Sequence, residues 1–330
     1  MTPHFEYRRF CFILYPHRKF LMAKKSKPKI WLEYAAARAA LGFLGNVPRK
    51  ASVRVGSSVA KLGFSLLKSL RRTGMRNLEI AFPEKSISER EKLLKGTFEN
   101  LGRVLGEMSH FPQARPEKLG QLMEFQIDHL IAEYGKLKAE GRGVIIVSAH
   151  LGNWELFVYA WSALYGPMSY LARPLDNPLI ENLTASLRTK FGNRPINKSN
   201  SINLAIKVLR EAGILGILAD VNVHPKEGVF VPFFGVPACT STGAALLALR
   251  SKAVIIPMCG VWDEEKQHYI AVHGEIIEPS RTGDRHRDVL ETTARFTAEI
   301  EKLIRAYPDQ WLWIHKRWKT RPPGEKNLYD

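Results

Sequence analysis

Four residues in the middle of this chain have side chains suited to acid–base chemistry: His150, Glu155, Arg173 and Asp220. Three of them follow apolar runs: His150 comes after GVIIVSA, Arg173 after SYLA and Asp220 after ILGILA. In parallel sheets, functional groups gather beyond the carboxyl ends of the strands. A lone histidine is more often structural, but three polar strand exits together point to a site. His150 opens the segment HLGNWE. There Gly152 permits a tight bend and Asn153 can cap the following helix. Glu155 falls in that helix's first turn, where it can fold back toward the imidazole. A carboxylate so placed orients the ring and stabilises imidazolium, the arrangement of a general base. No G-x-S-x-G elbow occurs, so the histidine would activate an external nucleophile such as a substrate hydroxyl. H-E-x-x-H is also absent, and nothing in the spacing of His150, Glu155 and Asp220 demands a metal.

The elements that must position these groups alternate. GVIIVSA (143–149) is a continuous β-branched run, as a buried parallel strand requires. The segments NWELFVYAWSAL, NPLIENLTASLRTKFG, SINLAIKVLREAG, TSTGAALLALRS and 285–306 read as helices. MSYLA, ILGILAD, AVIIPMCGV and HYIAVHGEII read as strands. Helices are also expected at 88–109, with Ser88 and Glu91 as a capping box, and at 128–139. The pattern predicts an α/β fold with a mainly parallel sheet flanked by helices.

The chain has 330 residues, 45% of them apolar and 25% charged, which excludes global disorder and a polytopic membrane protein. Its net charge of +17 is unevenly spread. Residues 1–76 carry 17 Lys/Arg against 2 Asp/Glu, a balance of +15, and the remainder is near neutral. Three parts follow: a basic, disordered segment at 1–29, membrane-associating helices at 30–76, and a catalytic domain at 77–330. Met22 is a plausible alternative translation start. WLEYAAARAALGFLGNVP is apolar but shorter than the roughly 20 residues of a membrane span. The segment 52–70 places Val55, Val59, Leu62, Leu66 and Leu70 on one helical face, with Arg54, Lys61 and Lys68 on another. A basic amphipathic helix of this kind can lie in a membrane interface or pack on its own domain. Cys11, Cys239 and Cys259 form no C-x-x-C pair, so a disulfide framework is not expected.

The ordered blocks RNLEIAFPE (76–84), SAHLGNWE (148–155), ARPLDNPLIENL (172–183), EGVFVPFFGVPACTSTG (227–243) and DQWLWIHKRWKTRP (309–322) resemble the bacterial lipid A biosynthesis acyltransferases. The likeness covers about residues 30–322. It implies transfer of a fatty acyl group from acyl carrier protein to a hydroxyl of a lipid A precursor, at the cytoplasmic face of the inner membrane. By position His150 would be the general base, Glu155 its partner, Arg173 a catalytic or phosphate-binding residue, and Asp220 the acidic residue of the third block. A thioester donor is already activated, so no cofactor is expected. Asn177 follows Arg173 in the second block. Asn222 stands near the place where the family commonly has glutamine, which leaves open another glycolipid or lysophospholipid acceptor and a coenzyme A donor. Oxyanion stabilisation would fall to the helix start at Asn153 or to Arg173. Phe230, Phe233 and Phe234, in GVFVPFFGVPA, suit either an acyl-chain groove or an ordinary core loop. The Trp- and Lys/Arg-rich segment 311–321 suits a membrane interface or the core; the resemblance argues against nucleic acid.

Overall fold

The computed structural model describes residues 26–172, 174–197 and 201–330; the basic segment 1–25, with Met22, lies outside them. Seven strands form one sheet in the order β1-β9-β8-β2-β5-β3-β4. They are β1 (Met123–Glu124), β2 (Val144–Ser148), β3 (Ser169–Ala172), β4 (Arg194–Asn197), β5 (Ile214–Leu218), β8 (Val254–Asp263) and β9 (His268–His273). All neighbours run parallel except β8 and β9. β2 lies at the centre with every residue buried. Both of its faces therefore need apolar cover, and its unbroken β-branched run supplies it.

The pleat divides the core in two. Ile145 and Val147 face a core shared with Leu215, Ile255, Phe296 and Leu303. Val144 and Ile146 face a second, with Leu156, Phe157, Tyr159 and Met168. The fold is α/β, as the alternating pattern requires.

Among the described residues five α-helices precede the sheet: α1 (Lys27–Gly45), α2 (Arg49–Leu66), α3 (Lys68–Ala81), α4 (Ile87–Met108) and α5 (Pro116–Leu122); α6 (Asp128–Ala139) lies between β1 and β2. The cap of helix α4 lies two residues earlier than expected, because the capping box is made by Ser86 and Glu89 rather than by Ser88 and Glu91. The helix expected over 52–70 breaks at Leu67, so Leu70 turns away with α3 and packs on the core. Position 76 falls inside α3.

Helix α2 packs by its small residues. Ser52, Gly56 and Ser57 are buried against α4, and a Cβ on Gly56 would come within 2.4 Å of the Gly102 carbonyl oxygen. Phe64 is buried as well, edge-on to Phe98 of α4, but Val55, Val59, Leu62 and Leu66 are 39–76% exposed, and Trp31, Leu32 and Phe43 of α1 also lie on the surface. Among the described residues no helix is long and apolar enough to cross a membrane.

The segment 228–241, whose prolines and glycines suggested an irregular loop, is an antiparallel hairpin of β6 (Gly228–Phe233) and β7 (Val236–Ser241). Phe234 and Gly235 form its two-residue turn, both with positive φ, as such turns require. Pro232 faces Pro237 across the hairpin, where no larger sheet asks for their missing N–H groups.

Candidate active site

β2 and β5 are parallel neighbours with Ser148 opposite Leu218. Two residues beyond that register stand His150 and Asp220. The Asp220 carboxylate lies 2.9 Å from His150 Nδ1 and accepts the His150 backbone N–H at 2.8 Å. It also accepts the Trp311 indole N–H at 2.8 Å. Asp220 is 3% exposed. With Nδ1 committed to the carboxylate, Nε2 is the nitrogen that His150 presents to the adjoining cavity. Burial pushes the histidine pKa down, but the charge and hydrogen bond of Asp220, with help from Glu155, raise it overall; Arg188 opposes them. Asp220 is held below the usual carboxylate range, since His150 and the two further N–H donors outweigh its burial.

The turn that carries His150 is fixed from several sides. Gly152 has φ +62°, and a Cβ there would strike the Gly260 carbonyl oxygen at 2.1 Å. The Gly152 carbonyl accepts from Asn100 Nδ2 at 2.8 Å, and the Asn153 N–H reaches the Gly260 carbonyl at 2.7 Å. The Asn153 side chain caps α7 (Trp154–Tyr165) by accepting the Leu156 N–H. The N–H groups of Trp154 and Glu155 are left without an intrahelical acceptor, as the first amides of any helix are.

Glu155 does not fold back onto the imidazole, contrary to the sequence reading. It is paired with Arg188, at the end of α8 (Pro178–Arg188), through two parallel hydrogen bonds, one of them 2.8 Å. Arg188's fork matches a carboxylate better than the imidazole edge does, and Asp220 already occupies Nδ1. Nothing in the sequence singled out Arg188. From the sequence, Trp311 suits only a membrane interface or the core.

His150, Glu155, Arg188 and Asn222 line a cavity of about 600 Å³. Its walls come from both cores, with Ile146, Phe157 and Met168 on one face of the sheet and Ala205, Leu246 and Leu247 on the other. β3 explains this. It pairs with β5 only as far as Tyr170 opposite Gly216, whereas β2 follows β5 to Leu218, so the sheet parts at its carboxyl end.

The remaining expected residues lie elsewhere. Asn177 is buried, caps α8, and donates to the Ile30 carbonyl and to Glu33 of α1. Asn153 and Asn177 therefore shape the site's backbone and do not line the cavity. Asn222 is anchored to Thr320 through its amide, and its N–H donates to His315 Nε2 at 3.0 Å. Phe230, Phe233 and Phe234 do not line the cavity either. Phe233 and Phe234 pack with Trp311, Trp313 and Trp318, all at most 1% exposed, so the expected groove is core at these residues and these tryptophans are not an interface. Arg173 lies outside the described residues. Cys259, below Ser148, has its thiol pushed up to about 12 by burial, which leaves no thiolate to attack a substrate.

Residues 19–320 match the profile of the family described as bacterial lipid A biosynthesis acyltransferase. The chain belongs to that family. This acyltransferase is 29% identical to the lipid A biosynthesis lauroyltransferase of Escherichia coli strain K12, over 92% of this chain and 96% of that protein. It is 28% identical to the palmitoleoyltransferase of the same strain, over 92% and 95%. The K12 myristoyltransferase is 24% identical, over 92% and 91%. Three relatives at similar distance are named for three different acyl chains, so family membership does not fix the chain transferred.

Proposed function

We propose that this acyltransferase moves a fatty acyl chain from an acyl carrier protein thioester to a hydroxyl of a lipid A precursor, with His150 as general base. The observation that carries the reading is the His150–Asp220 pair at the wall of a mainly apolar cavity. His150 Nε2 takes the proton of the acceptor hydroxyl as its oxygen attacks the thioester carbonyl carbon. The carbonyl electrons move to oxygen, and the Trp154 and Glu155 amides stand ready to donate to that oxyanion. When the intermediate collapses, the carbon–sulfur bond breaks and the thiolate receives the proton from the imidazolium. Asp220 holds the ring's tautomer and steadies its positive form. Glu155 and Arg188 form a fixed ion pair beside the imidazole. Arg173 is assigned to the site by its place in the family's second block.

The exposed apolar face of α1 and α2 supports a seat on the cytoplasmic face of the inner membrane. Each of Val59, Leu62 and Leu66 would gain up to about 1.5–3 kcal/mol on leaving water. Neighbouring Lys and Arg add about 1 kcal/mol each at an anionic surface.

Purified protein with acyl carrier protein thioester and a lipid A precursor should yield a product heavier by one acyl group. His150→Ala should lose about 10²–10⁴-fold in kcat with an unchanged unfolding midpoint. A fully active His150→Ala protein would refute the assignment.

A further inference from the structure

A second cleft, of about 430 Å³, lies between α2, α4 and the end of β8. Lys50, Arg54 and Lys61 line it from α2, and Arg103 and Trp262 from the opposite wall, together with the carboxylates of Glu99 and Glu264. Its cations are unevenly used. Arg49 is held doubly by the buried Glu107, and Lys61 pairs with Glu99 at 2.8 Å. The Arg103 guanidinium lies over the Trp262 indole, its Cζ 4.8 Å from the ring centre, while the indole N–H donates to Glu264. Among the described residues Lys50, Arg54 and Arg103 make no ion pair, although the charge of Arg103 reaches Asp309. Lys50 and Arg54 stand one helical turn apart, where like charges destabilise a helix.

Position completes the case. At 100° per residue, Lys50, Arg54 and Lys61 and the stripe of Val55, Val59, Leu62 and Leu66 are centred about 130° apart on α2, with the exposed Ser58 and Ser65 between them. The cleft and the stripe therefore border one exposed face of the helix. The cleft also opens at the carboxyl end of the sheet: Trp262 is two residues beyond Gly260, which pairs with Gly152, and Arg103 is one turn beyond Asn100, which binds the Gly152 carbonyl. An occupant would sit at the same end of the molecule as His150.

We infer that this cleft binds the phosphate of an anionic phospholipid headgroup, with its acyl chains lying along the α2 stripe. The inference rests on the membrane-facing reading given above. It differs from general basic attraction because it assigns binding to particular residues.

The test is partition of the full-length protein onto phosphatidylcholine vesicles with and without phosphatidylglycerol. The variant Lys50→Gln/Arg54→Gln is compared with Lys68→Gln/Arg72→Gln, which removes equal charge from exposed positions of α3. A diffuse field costs both pairs the same, at about 1 kcal/mol per cation. A site makes the cleft pair at least about tenfold worse than the control on phosphatidylglycerol vesicles, and Arg103→Gln should follow the cleft pair. Equal losses overturn the site and leave the membrane reading intact, whereas wild-type protein that ignores both vesicle types defeats the membrane reading itself. Inorganic phosphate at constant ionic strength should not release the bound protein; release would assign the cleft to free phosphate. If the cleft variant instead keeps its vesicle binding and raises KM for acyl carrier protein about tenfold, the cleft docks a protein and the lipid assignment falls.

Discussion

The Asp220 carboxylate controls the protonation of His150, and that gives the residue scale its sharpest consequences. As the proposed general base, His150 would act only when neutral, so kcat/KM should rise with pH through a pKa above the ordinary histidine value of 6.5. Asp220→Asn removes the largest upward influence and leaves only Glu155 against burial and Arg188. The rising limb should then move to lower pH while kcat falls about 10²–10⁴-fold, as read from a pH–rate profile. The same pair sets a stability window. A raised His150 pKa stabilises the fold below 6.5 and is lost as pH rises through the folded value. A lowered Asp220 pKa stabilises the fold above 3.8 and is lost as pH falls. The stability difference between wild type and Asp220→Asn should therefore be greatest between those two values, and a gap that kept growing toward pH 9 in urea titrations would contradict the pairing. The sequence showed both residues at strand exits but not that their strands are neighbours. Glu155 was nearer in sequence, while Asp220 is nearer in space because β5 inserts between β2 and β3.

At the scale of elements, apolar periodicity identified the strands and helices near the site, and the errors came where packing departs from it. The helix expected over 52–70 breaks at Leu67. Its apolar stripe suits a membrane interface or packing on its own domain, and it stays exposed because α4 offers Gly102 and Gly106, onto which the α2 backbone at Ser52, Val53, Gly56 and Ser57 closes instead. Gly102→Val should cost about 1–3 kcal/mol in unfolding free energy, since a Cβ there would come within 2.2 Å of the Gly56 carbonyl oxygen. Val59→Asp with Leu62→Asp lies on the opposite side and should change stability by less than about 0.5 kcal/mol. The same pair should abolish binding to lipid vesicles in a flotation assay. The β6–β7 hairpin was hidden for a different reason: its strands pair only with each other, so they tolerate the prolines that would exclude them from a larger sheet.

Across the whole molecule, the parting of β3 from β5 lets one cavity reach both cores. Gly216 stands where the strands separate, and a Cβ there would meet Met168 Sδ at 3.4 Å and Tyr170 Cβ at 3.6 Å, ordinary contact distances. Gly216→Val should therefore fold and narrow the passage. The ratio of kcat/KM for a long-chain over a short-chain thioester should fall by about tenfold or more, the scale of discrimination by a few methylenes. No periodicity reveals such a parting, because it depends on where two strands stop pairing.

The Trp311 indole that completes the Asp220 clamp also gives the site a birth order. Trp311 follows Asp220 by 91 residues, and its neighbourhood is pinned in turn by Asn77, which donates to the His315 carbonyl at 2.6 Å and accepts from the Tyr329 hydroxyl at 2.5 Å. At roughly 5–20 residues per second, the indole leaves the ribosome about 5–20 s after the carboxylate it binds. During synthesis, then, His150 and Asp220 exist as a pair before they exist as a fixed one. On the membrane-bound reading proposed above, a nascent enzyme would touch lipid through α1 and α2 while its active site is still unfinished.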